Sequence, residues 1–104
     1  MTTFDDREKG FERKFVLDQD QEFRAGARRN RLLGEWAAEL MGLKDVGDYA
    51  AAVVKSDFEQ PGDEDVIRKV FGDLSSAGVD ITEGAVRRKM DELMGVAREQ
   101  IAKG

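Results

Sequence analysis

The chain has no histidine, no cysteine and a single proline among its 104 residues. Without histidine or cysteine, the usual general base, the thiol nucleophile and the soft metal ligands are missing together. The lack of cysteine also excludes disulfides and suits a reducing, cytoplasmic setting. No apolar run approaches the roughly 18 residues of a membrane span. The opening "MTTFDDREK" lacks the apolar core of a signal peptide, so direct membrane insertion is not expected. Phosphate-binding loops of the GxxxxGK or GxGxxG type are absent. The oxygen-rich stretches "DQDQEF" and "DFEQPGDED" do not have EF-hand spacing. Acid pairs such as Asp5/Asp6 and Asp57/Glu59 read as solvated surface. These absences predict a protein with no catalytic residue, no metal site and no required cofactor, and therefore not an enzyme.

Charge is plentiful: 38% of residues are Asp, Glu, Lys or Arg, and the formal net charge is −5. It is unevenly spread. Residues 1–31 carry eight basic against seven acidic side chains, and the rest carries nine against fifteen. A net-acidic chain without a concentrated basic surface is a poor nucleic-acid binder. The asymmetry predicts instead an N-terminal arm whose task differs from that of the body.

Hydrophobic spacing in the body is helical throughout, with no strand pattern and no internal repeat. Leu33, Trp36, Ala37, Leu40 and Met41 share one face, and that face extends back through Ala27 to Phe23. This predicts a first helix from about residue 20, ending near Gly42. A second carries Val46, Tyr49, Ala50, Val53 and Val54 behind Asp45 as N-cap. Pro61 breaks the chain, and a third helix follows with Asp63 as the expected cap and Val66, Ile67, Val70, Phe71 and Leu74 inward. Gly78 suits a left-handed stop. The fourth begins at "DITEGAV", with Thr82 as cap and Ile81 and Val86 as a hydrophobic staple. Val86, Met90, Leu93, Met94, Ala97 and Ile101 run down its inner face. The expected architecture is all-α: a four-helix bundle over residues 20–104, preceded by a flexible, potentially helical arm over residues 1–19.

Two clusters call for a role beyond packing. "RAGARRNR" sets Arg24, Arg28 and Arg31 at i, i+4 and i+7 with Arg29 beside them. Surface ion pairing is one reading and an anion site, for instance for nucleotide phosphates, is the other. Arg87 and Arg88 of "RRKMDE" are spaced to pair with Asp91 and Glu92. In "FDDREKGFERKF", Phe4, Phe11 and Phe15 would align along one side of a helix too short to stand alone, with Gly10 weakening it further. Either this arm folds back onto the core, or it is a recognition segment that lays its Phe stripe into a partner's groove.

The stretches "FDDREKGFERKF" and "DQEFRAGARRNRLLGEWAAELMGL" resemble the zeta subunit of the F-type ATP synthase of alpha-proteobacteria. The similarity continues through "DYAAAVVKSDFE", "GDEDVIRKVFGDL" and "VRRKMDELMGVAREQI" and so spans nearly the whole chain. The resemblance implies a four-helix bundle that inhibits ATP hydrolysis by the catalytic head of the synthase. Its N-terminal segment would enter a catalytic alpha/beta interface, become helical there, and approach the gamma shaft. On this chain that segment comprises Phe4, Asp5, Asp6, Arg7, Glu8, Lys9, Phe11, Glu12, Arg13, Lys14 and Phe15. The resemblance further implies a free monomer, held peripheral to the inner membrane through the synthase, and an ADP or ATP ligand on the bundle. No motif marks that nucleotide site, and Arg24, Arg28, Arg29 and Arg31 are the candidates. The alternative is a nucleotide-sensing regulatory bundle that does not depend on its arm.

Overall fold

The computed structural model describes residues 17–104. Four helices follow one another: α1 (Gln19–Met41), α2 (Val46–Glu59), α3 (Asp63–Ser76) and α4 (Glu83–Lys103). The residues expected to point inward form one core. Leu33 and Ala37 come from α1, Val53 from α2, and Val66, Ile67, Val70 and Leu74 from α3, with Val86 and Met90 from α4. Trp36, Tyr49, Phe71 and Ile81 pack around it half-buried. Burial of each large side chain contributes about 1.5–3 kcal/mol.

Local signals set most helix ends. Asp45 accepts a bond from the Asp48 backbone N–H at 3.0 Å, and Thr82 Oγ1 accepts from Ala85 N–H at 3.1 Å. Gly42 and Gly78 close their helices at φ 72° and 82°, where a side chain would be strained. The start of α1 at Gln19 agrees with the expected start near residue 20, and it is fixed by a reciprocal capping box between Asp18 and Gln21: each side chain accepts the other residue's backbone N–H, at 2.7 and 3.1 Å. The start of α3 differs from expectation. Gly62 stands at the cap position without a side-chain cap, and Asp63 is the first helical residue. The Asp63 carboxylate is turned instead toward Arg29, 2.9 Å away.

Two residues assigned to the inner face of α1 lie outside: Phe23 is 64% exposed and Leu40 45%. Phe23 lies level with the end of α2, where its ring meets that of Phe58, and Leu40 lies in the last turn of α1 before the link to α2.

The helices α1 and α2 come very close at Gly34. A Cβ there would lie 2.7 Å from the Ala50 Cα and 3.2 Å from Val53 Cγ2. Since the first obstacle is backbone, α1 and α2 would have to separate. Gly34→Ala should therefore destabilise the protein by about 1–3 kcal/mol despite the gain of about 1 kcal/mol in helix propensity. Gly72, with open space around its Cβ position, should gain that propensity term when changed to Ala. Denaturant midpoints of the two variants should move in opposite directions.

Between α2 and α3 the Tyr49 hydroxyl donates to Asp73 Oδ2 at 2.7 Å, and Lys69 Nζ sits 3.2 Å from the same oxygen and 5.5 Å from the ring centroid. Burial, then the bond to Asp73 and its charge, push the phenol well above its ordinary 10.0. A raised folded pKa gives stability that is present below pH 10 and lost as pH rises through the folded value. Tyr49→Phe should cost about 1 kcal/mol at neutral pH. It should also flatten the loss of melting temperature that the parent shows above pH 10.

Candidate partner interface

Phe4 to Phe15, the segment named for partner binding, lies outside the described residues. The other candidate residues, Arg24, Arg28, Arg29 and Arg31, are parted by the fold. Arg29 is only 7% exposed and does not share a hollow with the other three. Its Nε and Nη2 donate to Asn30 Oδ1 at 3.1 and 2.9 Å, and Nη2 also meets Asp63 at 2.9 Å. Asn30 is fully buried and donates to Asp57 Oδ2 at 3.0 Å, while Asp57 Oδ1 lies 3.3 Å from the Gly62 N–H. Asp57, expected to be simple solvated surface, thus ties the end of α2 to the turn before α3.

Arg24, Arg28 and Arg31 do converge. They edge a concavity of about 380 Å³ whose remaining walls are Phe23 and Ala27 from α1, Val54 from α2 and Ile101 from α4. Each arginine has a partner: Arg24 pairs with Asp20 at 3.3 Å, Arg31 with Glu35 at 3.6 Å, and Arg28 donates to Gln100 at 2.8 Å. The two ion pairs are at the surface and worth about 0–1 kcal/mol each. A second concavity of about 330 Å³ adjoins the first along Phe23, Ala27 and Val54 and reaches Phe58 and Pro61. Phe23 and Phe58 stack at 6.1 Å with rings inclined by 45°, and Phe58 is 63% exposed. The two hollows form one apolar groove along the outer side of the first half of α1, with a basic edge. Phe58 was missed in the sequence because its stripe ends at Val54; the i+4 step from Val54 was the available signal.

The other arginine pair also departs from expectation. Arg87 forks onto both oxygens of Glu64 across helices, at 2.6 and 3.0 Å, and meets Glu83 at 3.3 Å, rather than pairing with Asp91. Glu92 is met by Lys89 instead of Arg88. The bond from Arg87 holds Glu64 below its ordinary carboxylate range. Among the described residues no group of three or more carboxylates could hold a metal ion, and no helix is long and apolar enough to cross a membrane.

A family model described as ATPase inhibitor subunit zeta matches residues 1–100. The chain belongs to that family. None of the curated proteins compared with it matches. A protein with a solved solution NMR structure is 49% identical to this member of the zeta family; the match covers 76% of this chain and 92% of that one, with a TM-score of 0.66. The zeta match takes in α1, α2, α3 and α4 as far as Gln100, and also the segment that precedes the described residues.

Proposed function

We propose that this chain inhibits ATP hydrolysis by an F-type ATP synthase, with residues 1–19 as the inhibitory element and the bundle as its carrier. The observation that carries the proposal is the extent of the family match, which starts at residue 1 and so includes the Phe-bearing arm. In this reading Phe4, Phe11 and Phe15 are apolar anchors for a cleft between the alpha and beta subunits of the catalytic head, close to the gamma shaft. The charged residues between them, Asp5, Asp6, Arg7, Glu8, Lys9, Glu12, Arg13 and Lys14, pair around the rim. A wedge that occupies a rotor–stator cleft needs no catalytic group, in keeping with a chain that lacks histidine and cysteine.

The test is ATP hydrolysis by the purified catalytic head of the cognate synthase, titrated with the full chain and with Phe4→Ala, Phe11→Ala and Phe15→Ala. A true anchor should cost about 2 kcal/mol, roughly a 30-fold weaker inhibition constant. Unchanged potency in all three variants would sink the anchor reading.

A second reading, a nucleotide-sensing bundle, is favoured by the convergence of Arg24, Arg28 and Arg31 on one concavity. Calorimetric titration of ADP and ATP into the parent and into Arg28→Ala tests it. Absence of saturable heat with the parent removes this reading.

A further inference from the structure

Phe23 and Phe58 stand largely outside the bundle with their rings together, and three arginines edge the groove to which they belong. We propose that this groove is a second contact with the ATPase: it takes a helix of the catalytic head that has an apolar face and a row of carboxylates beside it. This docking surface rests on the inhibitory reading above and adds a contact of the bundle to that of the arm.

Charge decides the kind of partner. Arg24, Arg28 and Arg31 step by four and then three, so they span about 10 Å of α1. Carboxylates at the same helical spacing on a partner can meet all three at once. The arginines are available for it. Arg24 and Arg31 are about half exposed, and their pairs with Asp20 and Glu35 are of the weak surface kind. Arg28 donates to the neutral amide of Gln100. The acids that line the neighbouring hollow are engaged more firmly with the rest of the bundle: Glu22 with Arg98, Asp57 with the buried Asn30, and Asp63 with the buried Arg29. Beyond this edge the chain is acidic, with nine basic against fifteen acidic side chains over residues 32–104. An acidic helix is therefore drawn to the arginine edge and turned away from the rest of the bundle.

Shape and size decide the rest. The apolar surface runs on from Phe23, Ala27 and Val54 to Phe58 and Pro61, in a hollow that none of the three arginines lines. That extent suits a helix better than a small anion. It is too little for a self-sufficient interface. A Phe side chain has roughly 150–250 Å² to bury, so at 64% and 63% exposure the pair offers about 200–300 Å². A stable complex buries about 800 Å² on each partner, so the groove alone does not hold a second copy of the chain.

The head differs because the arm tethers the bundle to it. In the inhibitory reading residues 1–19 occupy the cleft, and chain continuity then sets the first turns of α1 at its mouth. Phe23 lies only about 6 Å along the axis from Gln19, the first residue of α1. A weak contact made by a tethered bundle is an intramolecular one, and it tightens the whole complex.

The absence of cysteine lets the contact be mapped in the full chain. Gly26 lines the groove and Gly72 lies on α3, and both have open space at the Cβ position. Gly26→Cys and Gly72→Cys, each labelled with a small maleimide diazirine, would be irradiated with the purified catalytic head of the cognate synthase. Mass spectrometry then identifies the cross-linked peptides. Position 26 should capture an acidic peptide of the head at least roughly tenfold more than position 72 does, as expected for a docked rather than a merely tethered site. Adding Arg24→Gln, Arg28→Gln and Arg31→Gln should remove that excess. Equal capture at the two positions, captured peptides without carboxylates, products joining two copies of this chain, or capture indifferent to the arginines would each overturn the proposal. The two readings fail separately. Inhibition of hydrolysis by a chain whose position 26 captures nothing removes the docking surface and leaves the inhibitor. Capture at position 26 without inhibition does the reverse.

Discussion

A chain beginning at Leu17 should leave ATP hydrolysis by the catalytic head uninhibited while still melting cooperatively as a helical protein. All of the described core, from Leu33 to Met90, lies within residues 17–104, as do the caps of the four helices. The point of truncation matters. A chain starting at Gln19 would lose Asp18, whose side chain caps α1, and such caps are worth about 1 kcal/mol. A loss of inhibition there would mix a missing arm with a loosened helix. Starting at Leu17 keeps the capping box, and circular dichroism of the shortened chain is the check that the bundle persists. If the shortened chain inhibits as well as the parent, the bundle surface is the active element and the arm reading fails.

Asn30→Ala should be among the most destabilising single changes on the bundle, at about 3 kcal/mol. The Asn30 amide is fully buried and sits between two charged groups, accepting twice from Arg29 and donating to Asp57. Removing it leaves a largely buried guanidinium and a half-buried carboxylate each short of a partner, and that desolvation is not recovered. It also unfastens α1 from the turn at Gly62, where α2 gives way to α3. For a domain of this size each kcal/mol corresponds to about 4–8 °C, so the melting temperature should fall by about 12–24 °C. Arg24→Ala, which removes only the exposed pair with Asp20, should change stability by less than about 1 kcal/mol. Thermal melts of the two variants beside the parent make the comparison. Equal losses would mean that the buried network contributes no more than a surface pair.

Family membership was legible because it is carried by long stretches such as "FDDREKGFERKF" that need no tertiary information. The candidate interface was legible only in part. Arg24, Arg28 and Arg31 were picked out by their spacing, and the fold does bring them to one concavity. Arg29 has the same chemistry and sits in the same run, yet it is inside. One residue along a helix turns a side chain by 100°, and what waits in that direction depends on where α3 begins. Phe58 escaped notice for a related reason. Its exposure comes from α1 and α2 running side by side with nothing above them among the described residues.

By itself the sequence determined the helical class, the four segments, the stops at Gly42 and Gly78, and the caps at Asp45 and Thr82. These follow from hydrogen bonds and periodicities that close within about four residues, so the information is local. Only the tertiary structure decided that Asn30 and Arg29 are interior, that Gly34 must be glycine, that Arg87 joins Glu64, and that Phe23 faces out. Those outcomes depend on where and how closely the helices approach one another. Phe23 meets Phe58 only at the last turn of α2 and stays largely exposed, and a backbone 2.7 Å from a missing Cβ leaves room for no side chain.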